Sequence, residues 1–177
     1  KPYQEVVKDR WLMPSAIPEN ICKYRVRNVM DFNSIPEDVK LFFSAMDLPE
    51  KEQTRNLEFK YAEMGYPLIS NSSANRQTND VPMIIPEINP GHLDIIPVQQ
   101  KNRNLPESGF VAVKPNCSIQ SYLIALAALE HAGYVVEKVQ VTTLQALSGA
   151  GEKGITTLGW RETVIPFIMG EEDKTEK

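Results

Sequence analysis

The chain has 177 residues, with 19 Lys and Arg against 23 Asp and Glu, for a formal charge of −4. The charges are scattered rather than blocked, which argues against a nucleic-acid or membrane surface as partner, and no apolar run reaches the eighteen or so residues of a membrane span. No signal peptide is apparent, and Cys22 and Cys117 have the spacing of neither a disulfide framework nor a metal site, so the expected setting is the reducing cytoplasm. At this length the chain can bury a real core, as one large domain or two small ones.

Residues 1 to about 33 read as irregular, broken by Pro14 and Pro18, with Ile21 to Val29 as a candidate strand. Val39 to Met46 has the apolar run of a buried parallel strand, and Pro49 to Met64 has helical periodicity through Leu57, Tyr61 and Met64, stopped by Gly65. Leu68-Ile69-Ser70 and Met83-Ile84-Ile85 predict short strands, Gly91 to Asn102 a helix interrupted at Pro97, and Phe110 to Val113 a further extended run. Strand and helix alternate. That pattern implies βαβ crossovers and a parallel sheet, the outer part of a Rossmann-type domain, with ligands at strand C-termini where Ser44-Ala45 and Ser70-Asn71 fall.

After Val113 comes Lys114-Pro115-Asn116-Cys117-Ser118, where the extended run gives way to a helical pattern. Asn116 is a good N-cap, Pro115 stops the preceding segment, and Ile119, Tyr122, Leu123, Leu126 and Leu129 recur on one face. A thiol in a helix's first turn faces backbone N–H groups and the positive end of the macrodipole, which favour the nucleophilic thiolate; the ordinary alternative is a small buried hydrophobe. Downstream, Val139 to Thr143 alternates like a strand and opens into Leu144-Gln145-Ala146-Leu147-Ser148-Gly149-Ala150-Gly151. There the glycines admit close backbone approach, and the Gln145 amide can donate and accept beside an acyl group. With the Ile155 to Ile168 stretch, these elements predict a second, mixed α/β domain over 116–177, after a first over 1–115. His131 lies fourteen residues beyond Cys117 on the same helix, about 21 Å away, too far to be its base. His92, after Asn89-Pro90-Gly91, reads as a surface or capping residue, and Cys22, His92, Cys117 and His131 lack the spacing of a zinc site.

Taken together, Asn116-Cys117-Ser118, the Thr142 to Gly151 segment, Ser70-Asn71-Ser72-Ser73-Ala74-Asn75-Arg76 and Val81-Pro82-Met83-Ile84-Ile85-Pro86-Glu87-Ile88-Asn89 resemble the aspartate-β-semialdehyde dehydrogenase family, in its archaeal and fungal branch. The resemblance covers nearly the whole chain. It implies an NADP-dependent oxidoreductase of amino-acid biosynthesis in which Cys117 attacks an acyl phosphate and forms a thioester, which hydride from NADPH then reduces. It further implies that Gln145 orients the acyl group and Asn116 helps hold the oxyanion, while Ser148, Gly149, Ser44 and Asn71 face the cofactor. Arg76 would anchor phosphate, and Glu171 and Lys174, after Ile165-Pro166-Phe167-Ile168, would take the substrate's amino group and phosphate.

The family's N-terminal glycine-rich turn and its C-terminal arginine and histidine base find no counterpart between Lys1 and Lys177, so the chain is expected to be an internal fragment, inactive alone, of a homodimer or homotetramer acting on small molecules. The alternatives are an acyl-CoA reductase, such as malonyl-CoA reductase, on the same scaffold, and a non-catalytic relative or assembly module.

Overall fold

The computed structural model describes residues 1–150 together with Val164 and Pro166. Two compact units are distinguished, Lys1–Lys40 and Leu41 onward. The first holds two short helices, α1 (Tyr3–Val7) and α2 (Glu19–Cys22), and a 3-10 turn at Phe32–Ser34. None of its residues is buried. The candidate strand at Ile21 to Val29 is instead the end of α2 followed by a single antiparallel bridge, Pro2 to Arg25. Pro18 explains the change, because it stands at the N-cap and its fixed φ leads the chain into a helical turn.

The second unit is built on a three-stranded parallel sheet, β1 (Phe42–Ser44), β2 (Pro67–Ser70) and β3 (Phe110–Val113), in that spatial order. Parallel neighbours need crossovers, which α3 (Lys51–Glu63) and α4 (Ile96–Arg103) supply. Register places Ser44 opposite Ser70 and Ser70 opposite Val113, so the three strands end together on one edge. Leu57, Phe59, Tyr61 and Ala62 of α3 are buried with Leu68 of β2 and with Val111, Ala112 and Val113 of β3. Phe42 closes one side, its ring 4.5 Å from Tyr61 and edge-on to Tyr66 at 5.1 Å.

The outer side of β3 is covered by substitutes for a fourth strand. Gln99, fully buried on α4, donates from Nε2 to the Val111 carbonyl at 2.9 Å and accepts the Val111 N–H on Oε1 at 2.8 Å. Its amide thus pairs like a strand residue. Beyond it, Val113 donates to the Pro82 carbonyl and Ile84 to the Val113 carbonyl, each at 2.9 Å, so the strand expected at Met83 to Ile85 is one bridge. Pro82 and Pro86, having no N–H, prevent a longer ladder, and the Ile85 N–H goes to Asn89 Oδ1.

Pro97 does not interrupt α4 but sits in its first turn, where no N–H is needed; a 3-10 turn, Pro90–Ile95, leads into it. Arg103 anchors its end with a two-pronged pair to Asp80, both contacts 2.7 Å, and lies over the Phe59 ring. Helix α5 (Cys117–His131) follows β3, with Ser118 its one buried residue. Val139 to Thr143 forms no strand: alternation is present, but no neighbouring strand among the described residues takes up its backbone groups, and the segment stays exposed.

Two glycines fix the α3–β3 contact. Gly65 ends α3 at φ +87°, as expected, and Gly109 brings β3 against the last turn, where a Cβ would stand 2.0 Å from the Ala62 carbonyl oxygen. The obstacle is backbone and cannot rotate away. Gly109→Ala should therefore destabilise the fold by about 3 kcal/mol, measured by urea denaturation, whereas Gly91→Ala, where a Cβ meets nothing within 4 Å, should be close to neutral.

Candidate functional site

The site starts where β3 runs out. The Lys114 N–H donates to the Ser70 carbonyl at 3.0 Å, which extends the β2–β3 pairing by one step before Pro115 turns the chain. Asn116 is extended (φ −60°, ψ 146°) at the N-cap of α5, as expected, but its side chain makes no capping bond. Its Oδ1 instead accepts from the Cys117 thiol at 3.4 Å. The turn is braced by Gln120, whose Nε2 donates to the Pro115 and Asn116 carbonyls at 2.9 and 3.3 Å. Cys117 is exposed at the helix start rather than buried, which disposes of the small-hydrophobe alternative.

Cys117 lines a cavity of about 480 Å³ whose walls also include Thr142, Thr143, Gln145, Ser148 and Gly149. This is within the range of small-molecule sites. Ser148 and Gly149 lie in a 3-10 turn, Leu147–Ala150, closed by a Gly149 to Ala146 main-chain bond of 3.0 Å. The Gln145 amide leans toward that turn: a Cβ on Gly149 would be 3.7 Å from Gln145 Oε1. Four residues singled out by sequence therefore share one hollow.

A second group gathers at the ends of β1 and β2. The exposed Asn71 donates its N–H to the Ser44 carbonyl at 2.8 Å. Ser44 is buried and turns its hydroxyl inward to Glu58, so it presents main chain at the sheet edge. Arg76, half-buried, reaches from the loop after β2 to the loop after β3, with Nε donating to the Lys114 carbonyl and Nη2 to the Asn71 carbonyl, both at 3.2 Å. It is thereby fixed to the residue three places before Cys117.

Sequence reasoning passed over Lys114. Burial and the neighbouring Arg76 guanidinium hold its ammonium below the usual lysine range, while Cys117 acts in the opposite direction. The signal available was a basic residue where a strand meets the cysteine's helix.

Glu171 and Lys174 lie outside the described residues. His131 ends the helix that Cys117 begins, and His92 is exposed, its Nδ1 within 3.1 Å of Asn89 Nδ2 and 3.2 Å of the Met83 carbonyl. Among the described residues no group of three or more His, Cys, Asp or Glu is placed to hold a metal ion, and no helix is long and apolar enough to cross a membrane.

A parallel sheet whose strands end together on one edge, joined by helical crossovers, defines a Rossmann-type nucleotide-binding domain, with an exposed cysteine where its last strand passes into a helix. The particular family follows from comparison: residues 1–96 match the semialdehyde dehydrogenase NAD-binding domain, and the chain belongs to that family. It is 40% identical, over all of its length and 48% of the relative's, to an aspartate-semialdehyde dehydrogenase of Archaeoglobus fulgidus. It is 34% identical, over all of its length and 47% of the relative's, to a malonyl-CoA reductase (NADP) of Metallosphaera sedula. The structure of aspartate-semialdehyde dehydrogenase with NADP from Candida albicans is 26% identical, covers 99% of this chain and 47% of that one, and superposes with a TM-score of 0.68. The chain spans about half the length of the curated relatives it matches.

The Lys114 environment gives a pH test. Its lowered value means that the charged form is disfavoured in the folded state, so a stability cost is present at pH below the folded value and is relieved as pH rises through it toward 10.5. Lys114→Met should thus melt no lower than the unsubstituted protein at pH 7, and any advantage should shrink as thermal melts are repeated toward pH 10.

Proposed function

We propose that this chain is the cofactor-binding and nucleophile-bearing part of an aspartate-semialdehyde dehydrogenase that reduces β-aspartyl phosphate to aspartate β-semialdehyde with NADP as cofactor. The observation that carries the reading is the exposed Cys117 on the same cavity as Gln145, Ser148 and Gly149. We take 1–115 as part of the dinucleotide-binding domain and 116–177 as the start of a catalytic and dimerisation domain of a cytoplasmic homo-oligomer.

The Cys117 thiol gives its proton to the histidine base that the family resemblance implies, and the thiolate attacks the acyl carbon, forming the S–C bond as the C–O bond to phosphate breaks. The leaving phosphate is taken by Arg76, with Lys174 as its second cation. Gln145 orients the acyl group from the cavity wall. Asn116 holds its amide against the sulfur; with the thiol proton gone, an acceptor facing a thiolate is unfavourable, and rotation brings Nδ2 round as a donor for the developing oxyanion. Asn71, exposed at the C-terminal sheet edge beside the Ser44 main chain, and Ser148-Gly149, on the cysteine's cavity, would face a bound dinucleotide, whose pyrophosphate cradle is not among these residues. Bound NADPH supplies the hydride that reduces the thioester. The sulfur then leaves as the aldehyde forms, and the thiol is restored.

The Metallosphaera sedula relative favours one competing reading, in which the same cysteine accepts its acyl group from coenzyme A. A non-catalytic role is disfavoured by a cysteine that stands open on a cavity with its glutamine partner.

In the complete enzyme, Cys117→Ala should abolish turnover and Cys117→Ser should leave a trace, since a hydroxyl is a far poorer nucleophile near pH 7. Arg76→Lys removes the Nε and Nη2 fork. It should raise the KM for phosphate in the phosphorylating direction roughly ten- to a hundredfold, the equivalent of about 1.5 to 3 kcal/mol for a charge-assisted pair. An unchanged phosphate response, with coenzyme A supporting turnover, would replace the acyl phosphate by an acyl thioester.

A further inference from the structure

Glu58 of α3 is fully buried and carries a carboxylate into the core. Its Oε1 accepts the hydroxyls of Ser44 at 2.6 Å and Ser70 at 2.5 Å, and its Oε2 accepts Nδ2 of Asn75, itself fully buried, at 2.7 Å. All three donors are neutral. A buried carboxylate without a cation is costly, and an apolar side chain could join a helix to a sheet without that cost. What an apolar residue could not do is accept three bonds whose donors are themselves links to the site.

Those links can be followed atom by atom. Ser44 and Ser70 end β1 and β2, so one oxygen ties the two strands at the edge where Asn71 emerges. Ser70 Oγ, held by Glu58, accepts the Ser72 N–H at 3.0 Å, and Ser72 Oγ accepts the Ala74 N–H at 3.2 Å. The Ala74 carbonyl is clamped by Arg55, one turn before Glu58 on α3, at 2.9 and 3.3 Å. Asn75 is held by Glu58 directly, and the next residue is Arg76.

We infer that Glu58 is the positioning residue of the site: its buried carboxylate winds the Ser70 to Arg76 loop so that Asn71 and the Arg76 guanidinium stand where the cofactor and the leaving phosphate are met. It touches neither ligand and acts through Ser70 and Asn75. This inference rests on the roles proposed above for Asn71 and Arg76.

The test is an exchange of donor and acceptor in the complete enzyme. Glu58→Gln leaves the pocket one acceptor short, since its Oε1 can meet either the two serine hydroxyls or Asn75 Nδ2 but not both, whereas the double variant Glu58→Gln/Asn75→Asp restores a donor facing an acceptor and keeps one negative charge in the pocket. Ser70→Ala is the milder variant should Glu58→Gln fold poorly, since it removes only the bridge from Glu58 to the Ser72 N–H. Glu58→Gln should raise the KM for phosphate at least tenfold while kcat at saturating phosphate stays within about threefold, Ser70→Ala should raise it about threefold or more, and the double variant should return to within about threefold of the unsubstituted enzyme. Thermal melts run alongside. The inference is overturned if these substitutions lower the melting temperature but leave the phosphate KM within twofold, or if the double variant recovers its melting temperature without its KM. The acyl phosphate reading is judged separately on the unsubstituted enzyme: if coenzyme A and not phosphate supports its turnover, that reading fails, and the same ratios are then taken on the KM for coenzyme A.

Discussion

The bond from the Lys114 N–H to the Ser70 carbonyl sets where Cys117 stands, because it carries the parallel pairing of β2 and β3 one residue past the strand and fixes the point at which the chain turns into α5. Asn71 does the same between β2 and β1 through the Ser44 carbonyl. Three strands thus end in register, and their continuations, bearing Asn71, Arg76, Lys114 and Cys117, leave from one edge. Arg76 then ties two of these continuations together through main-chain carbonyls, so its position depends on backbone geometry rather than on surface side chains.

Keeping that edge in place requires the rest of the sheet to be closed with short pieces. Main-chain groups of a buried strand must be paired, and among the described residues β3 has only β2 as a strand neighbour. The buried amide of Gln99 serves Val111 in both directions, and the Pro82–Ile84 segment serves Val113. The segment that expectation made a strand is consequently a cover for β3, and its prolines limit it to one bridge.

These particulars show what could be read from the residues and what could not. Apolar runs between turn signals located β2 and β3 almost to the residue, and Gly65 marked the end of α3, because burial and positive φ act locally on composition. Cys117, Gln145, Ser148 and Gly149 were legible as motifs, and the structure gathers them on one cavity. Glu58 was not legible. A glutamate in an amphipathic helix reads as a solvated face, and only the fold reveals that it points at two strand ends and a loop from residues twelve to seventeen positions away. Lys114 escaped for a similar reason, since its meaning depends on Arg76, which reaches it across thirty-eight positions. The Val139 to Thr143 alternation misled because period two records a preference for extended backbone, whereas a strand also needs a neighbour to pair with.

The two sides of Cys117 are built differently, and the proposed chemistry accounts for the difference. On the side of Arg76, buried groups with side-chain bonds of 2.5 to 2.7 Å fix the loop before any ligand arrives. On the side of Gln145, a turn closed by the Gly149 to Ala146 main-chain bond stands beside exposed residues such as Leu144. A leaving phosphate is the same anion for every acyl group and is best met by donors already in place, since reorganising them during bond cleavage would raise the barrier. In the proposed reaction, the donors on the Arg76 side stand ready for the leaving phosphate, and discrimination between acyl groups falls to the Gln145 side of the cavity.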